Sequence, residues 1–316
     1  MMAMLGRRFR IRRRRAVALF FLVLIVLVAA VIARNCGARA RGIVPADDSS
    51  LATAASEVPL AATAYAAVAS ESPAAVGRAR APAGATFDSA GVSIFYTVEG
   101  KGDPVILIHG LNSSANLNWR APGIISALAP SFTVIALDLR GHGQSGKPRG
   151  KDSYGTQLVE DVVRLMGHLK IKKAHIIGYS LGGMVATKLA VLHPDRVQSL
   201  ILGGMGWFRE GSKLQDLWDR LPARRGRTPA ELVHSVSALA VSEADLKAIR
   251  APAAVIVGDG DPVRKLYVVP LESVRKDWPV TLIKGAGHIN CILKPQFKDA
   301  LAKTLSAFPR PAPETK

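Results

Sequence analysis

The chain has 316 residues, 49% of them hydrophobic, which gives room for one large domain with appendages and a sizeable core. Its net charge of +18 is concentrated at the start, where the first 42 residues hold ten arginines and no acid. The remaining body carries no helix-turn-helix signature, aromatic ladder or zinc-ligand spacing, so nucleic acid is not an expected partner.

Seven arginines precede the apolar run AVALFFLVLIVLVAAVIA, Ala16 to Ala33. Eighteen uninterrupted apolar residues suffice to cross most of a bilayer's hydrocarbon core as a helix. The arginine flank orients that helix with its N-terminus in the cytoplasm. Residues 1–34 therefore read as a basic N-terminus and transmembrane signal anchor, with the membrane as a partner and the rest of the chain extracytoplasmic. A cleaved signal peptide competes, since Ala38-Arg39-Ala40 has a small-x-small pattern, and it would make the protein secreted. Residues 35–86 are rich in Ala, Ser and Pro without sustained periodicity and read as a flexible tether. The two cysteines, Cys36 and Cys291, offer neither a disulfide framework nor a Cys/His metal site.

From Phe87 the pattern changes. VSIFYTVEG, PVILIHG and FTVIALDLRGHG read as strands, the last two as short buried ones that end in polar, glycine-rich loops. TQLVEDVVRLMGHL has helical spacing, with Leu158, Val162, Val163, Leu165, Met166 and Leu169 on one face. AHIIGYS is a strand and LGGMVATKLAVLHP the helix behind it. VQSLILGG, AAVIVGDGD and VTLIKGAGH complete the strands. Continuous apolar runs alternating with helices predict a mostly parallel sheet covered on both faces. Ligands then sit at the carboxyl ends of the strands, where HG, DLRGHG, GYSLGG, GDGD and GAGH all fall. The segment GYSLGG fits G-x-S-x-G, a strand-to-helix turn whose glycines relieve crowding around the exposed Ser180.

His109-Gly110, the run Asp138 to Ser145, Gly178 to Gly183, Gly258 to Asp261, and Gly287-His288 follow one another in the order found in the α/β-hydrolase superfamily. Over roughly Phe87 to Pro309 the chain resembles that superfamily, in its serine-nucleophile, esterase- and lipase-like branch. The resemblance implies an α/β-hydrolase domain over residues 87–316, with a small helical lid at about 207–247. SKLQDLWDRL and PAELVHSVSALAV are the two lid helices, joined by the basic loop PARRGRT.

A serine hydroxyl needs a base within hydrogen-bond reach, and the base needs a carboxylate to hold its tautomer. Of seven histidines, His288 stands where the family carries its catalytic histidine; His109 and His142 are expected to be structural. Asp259 and Asp261 both follow the strand AAVIV; the resemblance assigns the acid to Asp261, with Asp259 shaping the turn. It assigns Asp138 to ordering its own loop. It also implies an oxyanion hole from the backbone N–H groups of Leu111 and Leu181. Asn112, Tyr179, Trp207, Phe208, Leu214, Leu217 and Trp218 are candidates to line the substrate pocket; the lid aromatics have the alternative of packing the lid onto the body.

The expected function is a serine hydrolase that cleaves a small-molecule carboxylic ester, thioester or lactone through an acyl-enzyme, with no metal or organic cofactor. Serine at the elbow argues against the dehalogenases and epoxide hydrolases of this fold, which use aspartate there. A C–C bond hydrolase, an acyltransferase and a non-catalytic ligand-binding shell are the alternatives, because one fold hosts many chemistries.

Overall fold

The computed structural model describes residues 84–220 and 228–309. The chain divides into two units, Met1–Ala79 and Arg80–Lys316, and every described residue belongs to the second. The expected anchor, nearly all of the tether, Cys36 and most of the basic lid loop lie outside the described residues. Among the described residues no helix is long and apolar enough to cross a membrane.

Eight strands form one sheet: β1 (Ala85–Asp88), β2 (Ser93–Glu99), β3 (Asp103–Ile108), β4 (Phe132–Leu137), β5 (Ala174–Tyr179), β6 (Val197–Gly203), β7 (Ala253–Gly258) and β8 (Val280–Ile283). Their spatial order is β1-β2-β4-β3-β5-β6-β7-β8. β1 and β2 pair antiparallel, as do β2 and β4, and the pairings from β4 to β8 are parallel. β1 is an addition to the sequence reading and begins inside the stretch taken as tether. Its hairpin closes on Ala90 and Gly91, both at positive φ, which suits the right-handed twist of two paired strands.

The chain leaves β3 for β4 on one side, then crosses to β5 on the other. That reversal makes the carboxyl ends of β3 and β5 a topological switch point, where an open α/β sheet leaves a crevice. The register pairs Ile108 with Gly178, so the residues after β3 and those after β5 meet at that crevice.

Alternation along the strands sends one set of side chains to each face. Leu107, Val134, Ile177, Tyr179, Ile201 and Ile256 face a layer built from Trp119, helix α1 (Ile124–Leu128) and the C-terminal residues Cys291, Phe297 and Leu301. Burying side chains as large as Trp119 and Phe297 stabilises the fold by about 2–3 kcal/mol each. Against the other face lie α2 (Gln157–His168) and α3 (Leu181–Leu192), with α3 packed on β5 and β6. The lid region holds α4 (Lys213–Arg220), α5 (Ala230–Ser235) and α6 (Glu243–Ala248); α7 (Val269–Val274) and α8 (Pro295–Ala307) follow β7 and β8. Helices α1, α6, α7 and α8 have no counterpart in the sequence reading.

On α2 the buried residues are Leu158, Val159, Asp161, Val162, Leu165 and Met166, with Val163 and Leu169 only half-buried. A carboxylate thus sits on the apolar face. It survives there because Arg140 grips it with two bonds of 2.6 Å and the Ser89 hydroxyl donates a third. Arg140 also donates to the Ser153 carbonyl at 2.7 Å, so the clamp ties the loop after β4 to α2. Removing one partner of such a pair strands the other charge in the interior. Asp161→Ala should therefore cost about 3–5 kcal/mol of stability, read by urea denaturation. Asp161→Leu combined with Arg140→Met should cost clearly less; an equal or larger loss would show that packing, not charge, is what matters there.

Candidate active site

Ser180 lies between β5 and α3 at φ 54 and ψ −117, a left-handed conformation that costs an ordinary residue of order 1–3 kcal/mol. The flanking glycines make the turn possible. A Cβ on Gly178 would run into the carbonyl of Gly182, and one on Gly182 into the carbonyl of Ile108 at the end of β3. One on Gly183 would meet the Met205 side chain at 2.6 Å. The crowding is thus against β3 and the chain after β6 as well as within the turn. Ser180 remains partly exposed, at the tip of the elbow.

The Oγ of Ser180 is 2.9 Å from Nε2 of His288. On the far side of the ring, Nδ1 is 2.9 Å from Oδ2 of Asp261. The other Asp261 oxygen accepts the Val263 N–H at 2.9 Å, so the carboxylate acts as an acceptor on both sides. Nδ1 then carries the proton, and Nε2 is left to accept from the serine. Burial works against a charged imidazole here, but the Asp261 carboxylate, by its charge and its hydrogen bond, outweighs burial and raises the His288 pKa above 6.5. Asp259 is exposed and accepts the Ala286 N–H at 3.3 Å. The Gly285 amide, ahead of those of Ala286 and Gly260, holds its carboxyl below the usual range.

That shift fixes a pH dependence. Only neutral His288 accepts a proton from Ser180, and its raised pKa means the neutral form is won at higher pH than for a free imidazole. The acid limb of kcat/KM should lie above pH 6.5, and Asp261→Asn should move it to lower pH. Stability runs the other way: the His288 contribution is complete below the unfolded-state value near 6.5 and is lost as pH rises through the folded one. An acid limb below pH 6 in the native protein would contradict the assignment of His288 as the base.

The N–H of Leu181 opens α3, where the helix dipole favours negative charge. The N–H of Leu111 follows Gly110, whose Cβ position lies 3.3 Å from Cβ of Ser180. Among the described residues no acceptor takes either N–H. Two side chains hold the Gly110 segment. Oδ1 of Asn118, on the π-helical turn Asn116–Arg120, accepts the Gly110 N–H at 2.8 Å. His109 donates through Nδ1 to the Gly110 carbonyl at 2.8 Å and accepts the Leu139 N–H at Nε2, 3.0 Å.

Burial lowers the His109 pKa to about 4, against the opposing bond to Gly110. The His142 ring lies edge-on to it at 5.0 Å. Burial, and then His109 itself, lowers its pKa to about 3. Both are neutral structural rings, and His288 alone of the seven histidines is bonded to Ser180. Asp138 accepts the N–H groups of Ala115 and Gln144, each at 2.8 Å, so it orders the loops after β3 and β4.

The pocket expectations need correction. Tyr179 shares the core face with Ile177, because residues two apart in a strand point the same way. Its hydroxyl donates to the His288 carbonyl and its ring packs on His288 and Phe297, so it braces the histidine loop from behind. Trp207 and Phe208 are 3% and 2% exposed, leaving almost no surface for a ligand. The Trp207 indole donates to the Val241 carbonyl, and Phe208 packs on Tyr267; they fasten the lid to the body. Leu214, Leu217 and Trp218 remain half-buried on amphipathic α4.

Asn112 stays at the site. It has φ 58, and its Oδ1 takes the Thr228 hydroxyl proton. Among the described residues its Nδ2 is buried without a partner, which costs about 1–3 kcal/mol. Asn118, Thr228 and Asn290, whose Oδ1 accepts the Gly287 N–H at 2.7 Å, all escaped the sequence reading. No periodicity or spacing rule links an amide to a backbone N–H across a loop.

A mostly parallel α/β sheet with a serine, histidine and aspartate in hydrogen-bonded series at its switch point defines the class. Residues 103–255 match the alpha/beta hydrolase fold family. A carboxylesterase structure from Nitrososphaera gargenis is 24% identical with a TM-score of 0.59, covering 70% of this chain and 98% of that one; at that identity it shows the fold. A meta-cleavage product hydrolase from Pseudomonas fluorescens is 26% identical with a TM-score of 0.56, covering 71% of this chain and 97% of that one. The chain has the α/β-hydrolase fold. A stretch of 117 residues is 43% identical to the dihydrolipoyllysine-residue acetyltransferase component of an acetoin cleaving system from Pseudomonas putida. That match covers 36% of this chain and only 30% of the relative.

Proposed function

We propose that the protein is a serine hydrolase that cleaves a carboxylic ester, thioester or lactone through an acyl-enzyme. The observation that carries this reading is the series Asp261–His288–Ser180, with 2.9 Å at both links. In the proposed reaction Ser180 Oγ attacks the carbonyl carbon as its proton passes to His288 Nε2. Asp261 stabilises the imidazolium, and the N–H groups of Leu111 and Leu181 hold the oxyanion. The intermediate collapses by breaking the bond to the alcohol or thiol, which takes the proton from His288. Water then attacks the acyl-enzyme, gives its proton to His288, and the acid departs as Ser180 recovers a proton.

The test uses the full-length protein in mild detergent against a series of p-nitrophenyl esters of increasing acyl length, with labelling by a fluorophosphonate probe alongside. Turnover with labelling at Ser180 supports the reading. Labelling without ester turnover favours the second one, C–C bond hydrolysis by the same three residues, to which the likeness to the meta-cleavage product hydrolase gives support. A folded protein that neither labels nor turns over would be a ligand-binding shell. As part of the same proposal, the run Ala16 to Ala33 anchors the protein with the hydrolase unit extracytoplasmic. Protease digestion of intact cells checks that side, and a unit fully protected from added protease would reject it.

A further inference from the structure

The residues Gly110 to Ser113 form a turn, closed by the Ser113 N–H on the Gly110 carbonyl at 3.2 Å. Asn112 is its third residue, and its left-handed φ of 58 is a position that asparagine or glycine fills readily. Backbone preference explains that choice but not what the amide does. The lid residue Thr228 takes Oδ1 with its hydroxyl and also lies 3.4 Å from Nε2 of His142. Lid and body together therefore fix the amide plane, and among the described residues the remaining Nδ2 is a buried donor with no acceptor. This orphaned donor stands one residue beyond Leu111, on the turn that lies against Ser180.

Buried donors in proteins are almost always satisfied, and a site that holds one ready rejects ligands lacking the matching acceptor. Resting on the ester-hydrolase reading, we propose that Asn112 is a specificity-determining residue. Its Nδ2 donates to an oxygen acceptor carried by the substrate within a few bonds of the scissile carbonyl, since Asn112 directly follows Leu111 on the turn that lies against Ser180. The favoured substrates are thus esters with an oxo or ether oxygen near the carbonyl, over plain aliphatic esters of the same shape.

Two isosteric pairs test this with the full-length protein. p-Nitrophenyl levulinate against p-nitrophenyl pentanoate places the oxygen on the acyl side; methoxyethyl pentanoate against butyl pentanoate places it on the alcohol side. The native protein should prefer the oxygenated member of at least one pair by about 10-fold in kcat/KM, the worth of one hydrogen bond. Asn112→Gly, which accepts the left-handed turn, should bring that ratio close to one. Asn112→Asp, which sets an acceptor in place of the donor, should push it below one. Circular dichroism and fluorophosphonate labelling report whether each variant is folded and its serine reachable. Equal rates within both pairs for the native protein, or a preference that survives in Asn112→Gly, would overturn the inference while leaving the hydrolase reading intact. A folded native protein that hydrolyses none of the four esters and takes no label would overturn both.

Discussion

Ser180→Ala should lower ester turnover by roughly 10⁴- to 10⁶-fold and abolish fluorophosphonate labelling, with the fold unchanged. Among the described residues, His288 Nε2 has Ser180 Oγ as its hydrogen-bond partner, so a methyl group at that position leaves the base nothing to activate but water. Some rate over the uncatalysed reaction should persist, because the Leu111 and Leu181 N–H groups are backbone and survive the change. Stability should move by no more than about 1 kcal/mol, since one hydrogen bond is lost and alanine inherits the same strained φ of 54. Comparing kcat/KM and the melting curve of the two proteins decides it. A variant that retains a tenth of the activity would mean that Ser180 is not the nucleophile.

Asp261→Asn should cost about 10⁴-fold in kcat, by analogy with other triads, and the geometry gives the reason. The Val263 N–H requires an oxygen at its end of the group, so an asparagine must turn its NH₂ towards His288. Nδ1 of the ring can then only accept, its proton moves to Nε2, and the histidine faces Ser180 as a donor instead of a base. Asp259→Asn disturbs a solvent-exposed carboxylate that meets only the backbone of the next loop, and should change kcat by a few-fold at most. The two variants side by side, with circular dichroism to confirm folding, make the comparison. If Asp259→Asn proves the more damaging in a folded protein, the acid has been assigned to the wrong residue.

Much of this site was legible beforehand because each of its parts is local. The apolar runs that became β3 to β7 stand at their expected positions, since a strand buried on both faces writes itself as a continuous hydrophobic stretch. The glycines around Ser180 were readable as an elbow, although the reason given for them was only half of it. Gly182 makes room for the end of β3, a neighbour seventy-odd positions away in the chain. Helix α8 had its own signals, Pro295 at the first turn and Phe297, Leu301 and Leu305 at i, i+4 and i+8, and went unread. Local pattern also misplaced Tyr179: the residue beside a nucleophile looks like a pocket residue until strand alternation sends it to the opposite face.

Asp161 shows the same limit on the stability side. Its place among Leu158, Val159 and Val162 on α2 is a violation of the apolar pattern, and the guanidinium of Arg140, arriving from the loop after β4, makes it tolerable together with Ser89 and Arg164. Asn112 shows it on the side of specificity. An asparagine two residues after Gly110 is consistent with a plain turn; the Thr228 hydroxyl arriving from the lid is what turns it into an oriented donor.

Hydrophobic period and turn chemistry act over a few residues, and they made β2 to β8, α2, α3, the elbow that exposes Ser180, and the candidates for base and acid legible in the chain. The fold then set Asp261, the acid the resemblance implied, and not Asp259 against His288, brought the turn that carries Leu111 to Ser180 through the pairing of β3 with β5, withdrew Tyr179, Trp207 and Phe208 into the packing, and left Nδ2 of Asn112 without a partner among the described residues. Those outcomes depend on distances between residues far apart in the chain, set by sheet order and crossover, which no local pattern encodes.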